Sequence, residues 1–236
     1  MPPPGHEPFL RAICENPEDD TVRLVYADWL DENGDPERAE FIRLQVAQAD
    51  KPRMYDADYF RAEALFRKNG ETWLAELPKR TEIVEWEDTF RRGFGYAIRV
   101  RAGRWILRHH AKLFAAAPVQ ALTLYDADEG TLAKVLQIPE VERLTELYLG
   151  RCRVTRGRFD VLTNCPRLPR LRILGIRGRE RGHFEPALTD AEARALAETP
   201  HFPALAEIYL DGRLSDRAAE LLKARYETVR FTGRHR

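Results

Sequence analysis

The stretch Leu144-Thr145-Glu146-Leu147-Tyr148-Leu149 decides the fold of the larger part of this 236-residue chain. Its apolar residues stand at the first, fourth and sixth positions, and its last four residues alternate polar with apolar. That alternation is the pattern of a strand with one buried face. Six copies of the spacing, the outer two weaker, begin at Gly95, Val119, Leu144, Leu171, Leu205 and Tyr226, which are 24, 25, 27, 34 and 21 residues apart.

Helix signals lie between these strands. A capping box, Thr189-Asp190-Ala191-Glu192, precedes one helical segment, and Ser215-Asp216 and Asp128-Glu129 precede two others. The predicted helices are Trp105–Ala117, Thr131–Gln137, Ala193–Glu198 and Arg217–Ala224. A strand followed by a helix, repeated at a near-constant period, predicts an α/β fold in which a right-handed solenoid carries a parallel sheet on its concave side.

The spacing and length of these segments resemble leucine-rich repeats, which run about 20–29 residues. The resemblance implies a leucine-rich-repeat-like solenoid of about five or six irregular repeats over residues 81–236. The one long spacing contains the polar segment 177–183, which is predicted to be a loop. The asparagine or cysteine usual after the strand is missing from most copies, and Cys152 comes nearest. The stretch Thr81–Thr89 is predicted to form a strand that covers the end of the solenoid, with Trp86 in the core.

The first ninety residues carry helix signals instead. Asn or Asp before Pro is typical of a helix start, and Gly is typical of a helix end. The predicted helices are Glu7–Glu15, a second from Asn16-Pro17 to Asn33-Gly34, a third from Asp35-Pro36, and two more over Tyr55–Lys68 and Glu71–Leu77. The second helix has an apolar stripe formed by Val22, Val25, Tyr26, Trp29 and Leu30.

Two segments of this helical part carry a family resemblance. Residues 23–35 read RLVYADWLDENGD and residues 38–45 read RAEFIRLQ, a pair that resembles the signature of the bacterial repeat-companion domain. The segment Phe90-Arg91-Arg92-Gly93-Phe94 also resembles the junction that opens the repeats in such proteins. The resemblance covers about residues 7–48 and implies a small N-terminal helical domain, over residues 1–80, ahead of the repeats. It implies no catalytic residue.

Composition excludes several classes of protein. Hydrophobic residues make up 44% and charged residues 32% of the chain, which is typical of a soluble globular protein. No apolar run reaches the roughly 20 residues of a membrane helix, and no signal peptide is evident, so a cytoplasmic location is expected. Cys14, Cys152 and Cys165 form no CxxC pair, and Ser215 is the only serine, which argues against disulfide, zinc and serine-nucleophile chemistry.

Other catalytic arrangements are missing from the sequence as well. It has no glycine-rich phosphate-binding loop. His109 and His110 are adjacent and therefore point about 100° apart on a helix, which is unsuited to chelation. An EF-hand built around Gly34 would have Trp29 at its first ligand position, although carboxylates cluster there at Asp28, Asp31, Glu32 and Asp35. We therefore predict that the protein is not an enzyme, holds no cofactor or metal and has no small-molecule substrate.

The net charge of zero hides an asymmetry, since residues 1–90 sum to −10 and residues 91–236 to +10. Residues 151–181 contain ten arginines and only two acidic residues. We call these arginines the arginine ridge: Arg151, Arg153, Arg156, Arg158, Arg167, Arg170, Arg172, Arg177, Arg179 and Arg181. Such a ridge suits an acidic protein surface, nucleic-acid phosphate or the acidic helical domain itself. A merely solvated surface is the remaining alternative.

Side chains alternate along a strand, so the residues between and after the apolar positions face the open side of the sheet. One predicted column is Arg99, Thr123, Tyr148, Gly175, Tyr209 and Arg230, and the next is Arg101, Tyr125, Gly150, Arg177, Asp211 and Thr232. Tyrosine and arginine concentrate binding energy at interfaces, while tyrosine also simply favours strands.

We predict that the protein recognises another protein without catalysis, and nucleic acid bound through the arginine ridge is the alternative. The predicted partner-binding residues are Arg99, Arg101, Tyr125, Tyr148, Arg151, Arg153, Arg177, Arg179, Tyr209 and Arg230.

Overall fold

The structure is a computed structural model of a mixed α/β protein. It describes residues 2–49, 55–78, 81, 83–87, 90–101, 103–151, 156–165, 167–176, 190–210 and 214–231. The helices are α1 (Glu7–Glu15), α2 (Asp20–Glu32), α3 (Pro36–Gln48), α4 (Ala57–Leu74), α5 (Gly103–Ala116), α6 (Glu129–Val135), α7 (Arg156–Thr163), α8 (Asp190–Glu198) and α9 (Asp216–Arg225), with a 3-10 turn over Pro139–Arg143. The strands are β1 (Val84–Trp86), β2 (Phe90–Arg91), β3 (Phe94–Gly95), β4 (Ala97–Val100), β5 (Ala121–Tyr125), β6 (Glu146–Gly150), β7 (Ile173–Ile176), β8 (Glu207–Leu210) and β9 (Thr228–Phe231).

The chain divides into two compact units. The first unit comprises Met1–Thr81, Trp86–Ala97 and Ala111–Val119. The second unit comprises Glu82–Glu85, Ile98–His110 and Gln120–Arg236. Helices α1 to α4 and the β2–β3 hairpin therefore belong to the first unit, and most of the sheet belongs to the second.

Helix α1 has the predicted bounds, but α2 begins later than predicted. Its N-cap is Asp19, whose carboxylate accepts a hydrogen bond from the Thr21 N–H at 2.9 Å. Asn16 instead ends α1, and its own N–H donates to the Ala12 carbonyl oxygen at 3.0 Å. The prediction of a start at Asn16-Pro17 was wrong because a carboxylate cap lay only three residues further on.

The buried stripe of α2 also differs from the prediction. Val25 is 51% exposed, and Arg23, only 1% exposed, lies on the buried side with Tyr26, Ala27 and Leu30. The Arg23 guanidinium donates to the carbonyl oxygens of Pro17 (2.7 Å) and Asp19 (3.1 Å), which offsets the cost of removing it from water. Burial nevertheless lowers the pKa of Arg23 to about 10.

Helix α3 begins as predicted, with Asp35 as its N-cap and Pro36 at its first position. Residues Tyr55–Leu77, however, contain one helix where two were predicted, because α4 runs on through Gly70. The side chains of Lys68 and Asn69, just before that glycine, both bind the Glu37 carboxylate of α3. The glycine also allows close packing, since a Cβ there would lie 3.2 Å from the Phe66 ring.

The β2–β3 hairpin is fastened to α3 by one glutamine. The Gln45 amide nitrogen donates to the Phe90 carbonyl oxygen (3.2 Å), and its amide oxygen accepts from the Gly93 N–H (2.7 Å). Gly93 has a φ of +87°, and a Cβ there would lie 2.5 Å from a side-chain carbon of Ile42. Only glycine satisfies both the left-handed turn and this close approach.

Seven strands form one sheet in the order β1-β4-β5-β6-β7-β8-β9, and most of it belongs to the second unit. The pairs from β5 to β9 are all parallel. Each predicted strand signature overlaps one of the strands β4 to β9, and β1 lies in the predicted Thr81–Thr89 segment with Trp86 buried. Two rows of buried side chains run across the sheet in register: Leu122, Leu147, Leu174 and Ile208, and Leu124, Leu149, Ile176 and Leu210.

The same backbone hydrogen bonds recur at the start of successive strands. In each case one carbonyl oxygen accepts from two consecutive N–H groups of the following strand region, at 2.8 to 3.0 Å. The acceptor and its donors are Gln120 with Thr145 and Glu146, Thr145 with Arg172 and Ile173, and Arg172 with Ala206 and Glu207. This repetition keeps each strand in the register of its neighbour.

Helices lie where predicted between most of the strands. Asp128 caps α6 and Ser215 caps α9, and α5 and α8 overlap the predicted segments. Thr189 of the predicted capping box lies outside the described residues. Helix α7 was not predicted, because its sequence, RGRFDVLT, carries neither a cap signal nor a clear apolar stripe.

Tyr226, the C-cap of α9, links the end of that helix to α8, and replacing it tests this packing. Its buried hydroxyl donates to the Leu196 carbonyl oxygen at 2.6 Å, and burial raises the pKa of Tyr226 to about 12. An unfolded tyrosine ionises near pH 10, so the unfolded chain loses this proton first and stability falls as the pH rises from about 10 to about 12.

We expect Tyr226→Phe to lower the free energy of unfolding by about 1 kcal/mol at neutral pH, because the Leu196 carbonyl loses its donor. The variant should also lose less stability than the wild type between about pH 8 and about pH 11 in urea titrations. Tyr55→Phe, at an exposed position, is the matched control. Parallel pH curves for wild type and Tyr226→Phe would show that this hydroxyl does not control the alkaline transition.

Candidate functional site

One face of the sheet in the second unit carries the predicted aromatic column. We call it the tyrosine face and define it by Glu85, Arg99, Arg101, Thr123, Tyr125, Glu146, Tyr148, Gly175, Glu207, Tyr209 and Arg230. Pairing of β5 to β9 aligns the central members in one row: Thr123, Tyr148, Gly175, Tyr209 and Arg230. The predicted column is therefore confirmed from β5 to β9. Arg99 lies on β4, the neighbour of β5.

Each of two tyrosines in this row is held by a glutamate of its own strand. The Tyr148 hydroxyl donates to Glu146 Oε2 at 3.2 Å, and the Tyr209 hydroxyl donates to Glu207 Oε2 at 2.7 Å. The hydrogen bond to the Glu207 carboxylate raises the pKa of Tyr209. These hydrogen bonds hold the two rings along the sheet. Both tyrosine side chains are half-buried in this position.

Glycines on neighbouring strands accommodate these rings. Tyr125 packs over Gly150, and Tyr148 packs over Gly175, the residue beside it in register. A Cβ at Gly175 would lie 2.9 Å from Tyr148 Cε1 and closer still to Cδ1. The tyrosines thus have a packing role as well as an exposed surface.

The described arginines of the face, and Arg151 beside it, contact its aromatic and acidic side chains. Arg151 lies over the Tyr125 ring and Arg230 over the Tyr209 ring, each 5.7 Å from the ring centroid. Arg99 and Arg101 approach Glu85 Oε2 at 3.4 and 3.5 Å. Seven of the ten predicted partner-binding residues are thereby placed. Arg153, Arg177 and Arg179 lie outside the described residues, as do Asp211 and Thr232 of the second column.

The arginine ridge is described only in part. Arg167 pairs with Glu142 at 2.6 Å, and Arg151, Arg170 and Arg172 are exposed. Outside the described residues lie Arg153, Arg177, Arg179 and Arg181 and the side chains of Arg156 and Arg158.

Acidic residues are the part of the face that sequence reasoning missed. Glu146 and Glu207 lie in one row with Ile173 and Thr228, directly beside the tyrosine row. The signal was present, because Glu-Leu-Tyr-Leu at 146–149 is nearly repeated as Glu-Ile-Tyr-Leu at 207–210. The predicted columns used only the positions between and after the last two apolar residues of each copy, so the position before them was left out.

The residues considered for catalysis or metal binding have other partners. His109 stacks on Trp105 with ring centroids 4.0 Å apart, and His110 Nδ1 lies 3.2 Å from Glu140 Oε2. Arg43 binds both Asp28 and Asp31 of the carboxylate cluster.

Cys14 and Cys165 are buried, burial raises the pKa of the Cys165 thiol, and Cys152 is not among the described residues. Among the residues that the structure describes, no three His, Cys, Asp or Glu side chains are grouped as metal ligands. Within the same residues no helix is long and apolar enough to cross a membrane.

Comparisons with protein-family models, with curated proteins and with solved structures found no match to this chain.

The contact between Tyr148 and Gly175 predicts a specific coupling. Gly175 has no positive φ, so alanine is tolerated by the backbone but pushes the Tyr148 ring off the sheet. We expect Gly175→Ala to destabilise the protein by about 1–3 kcal/mol, and by clearly less when Tyr148→Ala is also present. Chemical denaturation of the two single variants and the double variant measures this coupling.

Gly130→Ala is the control, because this exposed glycine of α6 has its nearest neighbouring atom 3.8 Å from the new Cβ. We expect its stability to be unchanged or slightly raised. Additive effects of Gly175→Ala and Tyr148→Ala would contradict the packing of the ring on the glycine.

Proposed function

We propose that the second unit is a leucine-rich-repeat-like solenoid and that the helical segment of the first unit is a repeat-companion domain. The repeated carbonyl-to-strand hydrogen bonds support the first assignment, because they recur with the spacing of the sequence copies. Asp126 and Arg151 also support it. Both follow a strand directly, both have a φ of +52°, and they stand 25 residues apart.

The packing of the signature segment is consistent with the second assignment. Asp35 caps a helix, Gly34 has a φ of +93°, Arg23 is buried among carbonyl oxygens and Gln45 fastens the hairpin. These residues have structural roles, which agrees with a domain whose family resemblance implies no catalytic residue.

We propose further that the tyrosine face recognises another protein without catalysis. The observation that carries this proposal is the adjacent placement of Tyr148 and Tyr209 with Glu146, Glu207 and Arg230 on one sheet face. Half-buried aromatic rings held in place lose little conformational entropy on binding, and their hydroxyls give polar contacts. Charges of both signs nearby provide specificity for a protein surface of mixed charge.

The acidic residues favour a protein partner over nucleic acid on this face. Glu85, Glu146 and Glu207 would repel phosphate. The arginines beside them already contact Glu85 or the Tyr209 ring. Nucleic-acid binding by the arginine ridge is the alternative, which the exposed Arg170 and Arg172 favour. Nuclease treatment and added salt distinguish the two proposals, because both should weaken nucleic-acid binding far more than protein binding.

A capture experiment with a matched pair of variants tests the proposed function. The tagged full-length protein is used to retain partners from a lysate of its source organism, with and without nuclease. We expect Tyr148→Ala/Tyr209→Ala to weaken capture of a nuclease-resistant protein by about 2 kcal/mol or more if the rings are anchors.

Arg217→Ala/Lys223→Ala is the control, because both residues are exposed on α9 and outside the tyrosine face. It should retain the partner at wild-type level. A partner bound equally by all three proteins would contradict the tyrosine face. Partners that disappear with nuclease, together with steep weakening by salt, would favour the arginine ridge.

A further inference from the structure

The first unit contains a cavity that has no part in the function proposed above. Its volume is about 330 Å³, which falls within the range of roughly 300–1,000 Å³ common for small-ligand sites. Its walls are largely apolar and include Leu10, Trp73, Leu77, Phe90, Phe94 and Ala116.

One buried cation, Arg38, lines this cavity. Its side chain is 6% exposed, and its Cζ lies 4.5, 5.1 and 5.4 Å from the ring centroids of Trp73, Phe90 and Phe94. The guanidinium makes no hydrogen bond with any residue that the structure describes, and its Nη1 is fully buried. The aromatic faces stabilise the positive charge, but they supply no oxygen or nitrogen acceptor for the guanidinium N–H groups.

Comparison with Arg23 shows that this arrangement is unusual within the same unit. Arg23 is 1% exposed and its two terminal nitrogens donate to the carbonyl oxygens of Pro17 and Asp19, although its Nε has no acceptor among the described residues. A buried donor without an acceptor is unfavourable, and burial lowers the pKa of Arg38. An anion in the cavity would supply acceptors to the guanidinium N–H groups that face it, through charge-assisted hydrogen bonds, while the fully buried Nη1 lies beyond its reach.

A second donor lies in the same cavity wall. The Tyr26 side chain is 4% exposed, and its hydroxyl has no hydrogen bond with any described residue. Burial raises the pKa of Tyr26 to about 12, so the hydroxyl keeps its proton near neutral pH. It is therefore available to donate to a carboxylate beside Arg38.

Glu76 provides a negative charge at the cavity wall without forming a pair with Arg38. The two residues interact electrostatically, but no hydrogen bond or ion pair joins them in the described structure, and Glu76 is exposed. Desolvation of the carboxylate beside the cavity wall raises the pKa of Glu76 in spite of Arg38. The carboxylate of Glu76 is thus a competitor that a ligand anion must overcome.

We propose that this cavity binds a small organic monocarboxylate, whose carboxylate accepts hydrogen bonds from Arg38 and Tyr26 while its apolar body packs against the surrounding rings. One guanidinium and one hydroxyl match a single carboxylate. A phosphate dianion needs more donors than this apolar wall offers, and its second charge would be repelled by Glu76. The ligand is distinct from the protein partner of the tyrosine face.

Calorimetric titration of the full-length protein tests the chemistry with 3-phenylpropionate as the probe. We expect binding at millimolar or lower concentration, at least about tenfold weaker binding of the neutral 3-phenylpropionamide, and no displacement by inorganic phosphate. The absence of any 3-phenylpropionate binding, equal binding of the amide, or displacement by phosphate would each overturn the proposal.

Two alanines of α5 locate the site without altering Arg38. Ala116 lines the cavity and Ala111 is exposed. Ala116→Leu should fill the cavity and weaken 3-phenylpropionate binding at least about tenfold, while Ala111→Leu should leave it unchanged. Equal affinities in these two variants would overturn the assignment to this cavity.

Charge variants then test the two carboxylate interactions. Glu76→Gln removes the competing charge and should strengthen 3-phenylpropionate binding several-fold. Arg38→Met retains the packing volume and should abolish it, with thermal unfolding recorded alongside to confirm a folded protein. Wild-type affinity in a folded Arg38→Met variant, or weaker binding in Glu76→Gln, would overturn the proposal. An Arg38→Met variant that no longer binds 3-phenylpropionate but still captures the protein partner would show that this cavity and the tyrosine face are independent sites.

Discussion

The stacking of one buried leucine or isoleucine on the next, strand after strand, is the constraint on which the second unit depends. Leu122, Leu147, Leu174 and Ile208 occupy equivalent positions in consecutive parallel strands. A shift of one residue in any strand would turn its apolar side chains outward, so the register is strongly specified. The same register determines the opposite face. It places Tyr148 beside Gly175 and Gly175 beside Tyr209, and the tyrosine face is therefore a consequence of the core.

The first unit depends on arginines that are buried for different reasons. Arg23 satisfies carbonyl oxygens at the start of α2, and Arg92 approaches Asp20 of the same helix at 3.1 Å. Arg38 is enclosed by aromatic rings instead. Two of these arginines, Arg23 and Arg38, belong to the signature segments at 23–35 and 38–45. These two segments thus contain residues that hold the helices together and also Arg38, whose guanidinium makes no hydrogen bond with the described residues.

Much of this architecture is local and could be predicted from the sequence. The alternation around Leu147 and Leu149 predicts a strand, and Asp35-Pro36 predicts the start of α3, because each depends on neighbours within a few residues. The start of α2 and the continuity of α4 were predicted wrongly. The start of α2 was missed because Asp19 and Asn16 are both suitable helix caps. The continuity of α4 was missed because Lys68 and Asn69 bind Glu37 of another helix, and a local pattern does not show such a contact.

The functional surfaces were predictable to different extents. Alternation along strands is enough to place Tyr148 and Tyr209 in one row. The glutamates beside them were missed because the predicted columns left out the position before the last two apolar residues of each copy. The cavity around Arg38 could not be predicted, because its wall joins α1, α2, α3, α4, the hairpin and α5. A hydrophobic pattern also gives no indication that an arginine such as Arg23 or Arg38 is buried.

The central claim is that Tyr148 and Tyr209 are covered when the partner binds. Hydroxyl-radical footprinting of the full-length protein, alone and with its captured partner, measures this residue by residue. We expect the oxidation rates of Tyr148 and Tyr209 to fall several-fold in the complex. Those of Tyr55 and Phe60, exposed side chains of the first unit, should stay unchanged. A complex in which Tyr148 and Tyr209 are oxidised as fast as in the free protein would contradict the account.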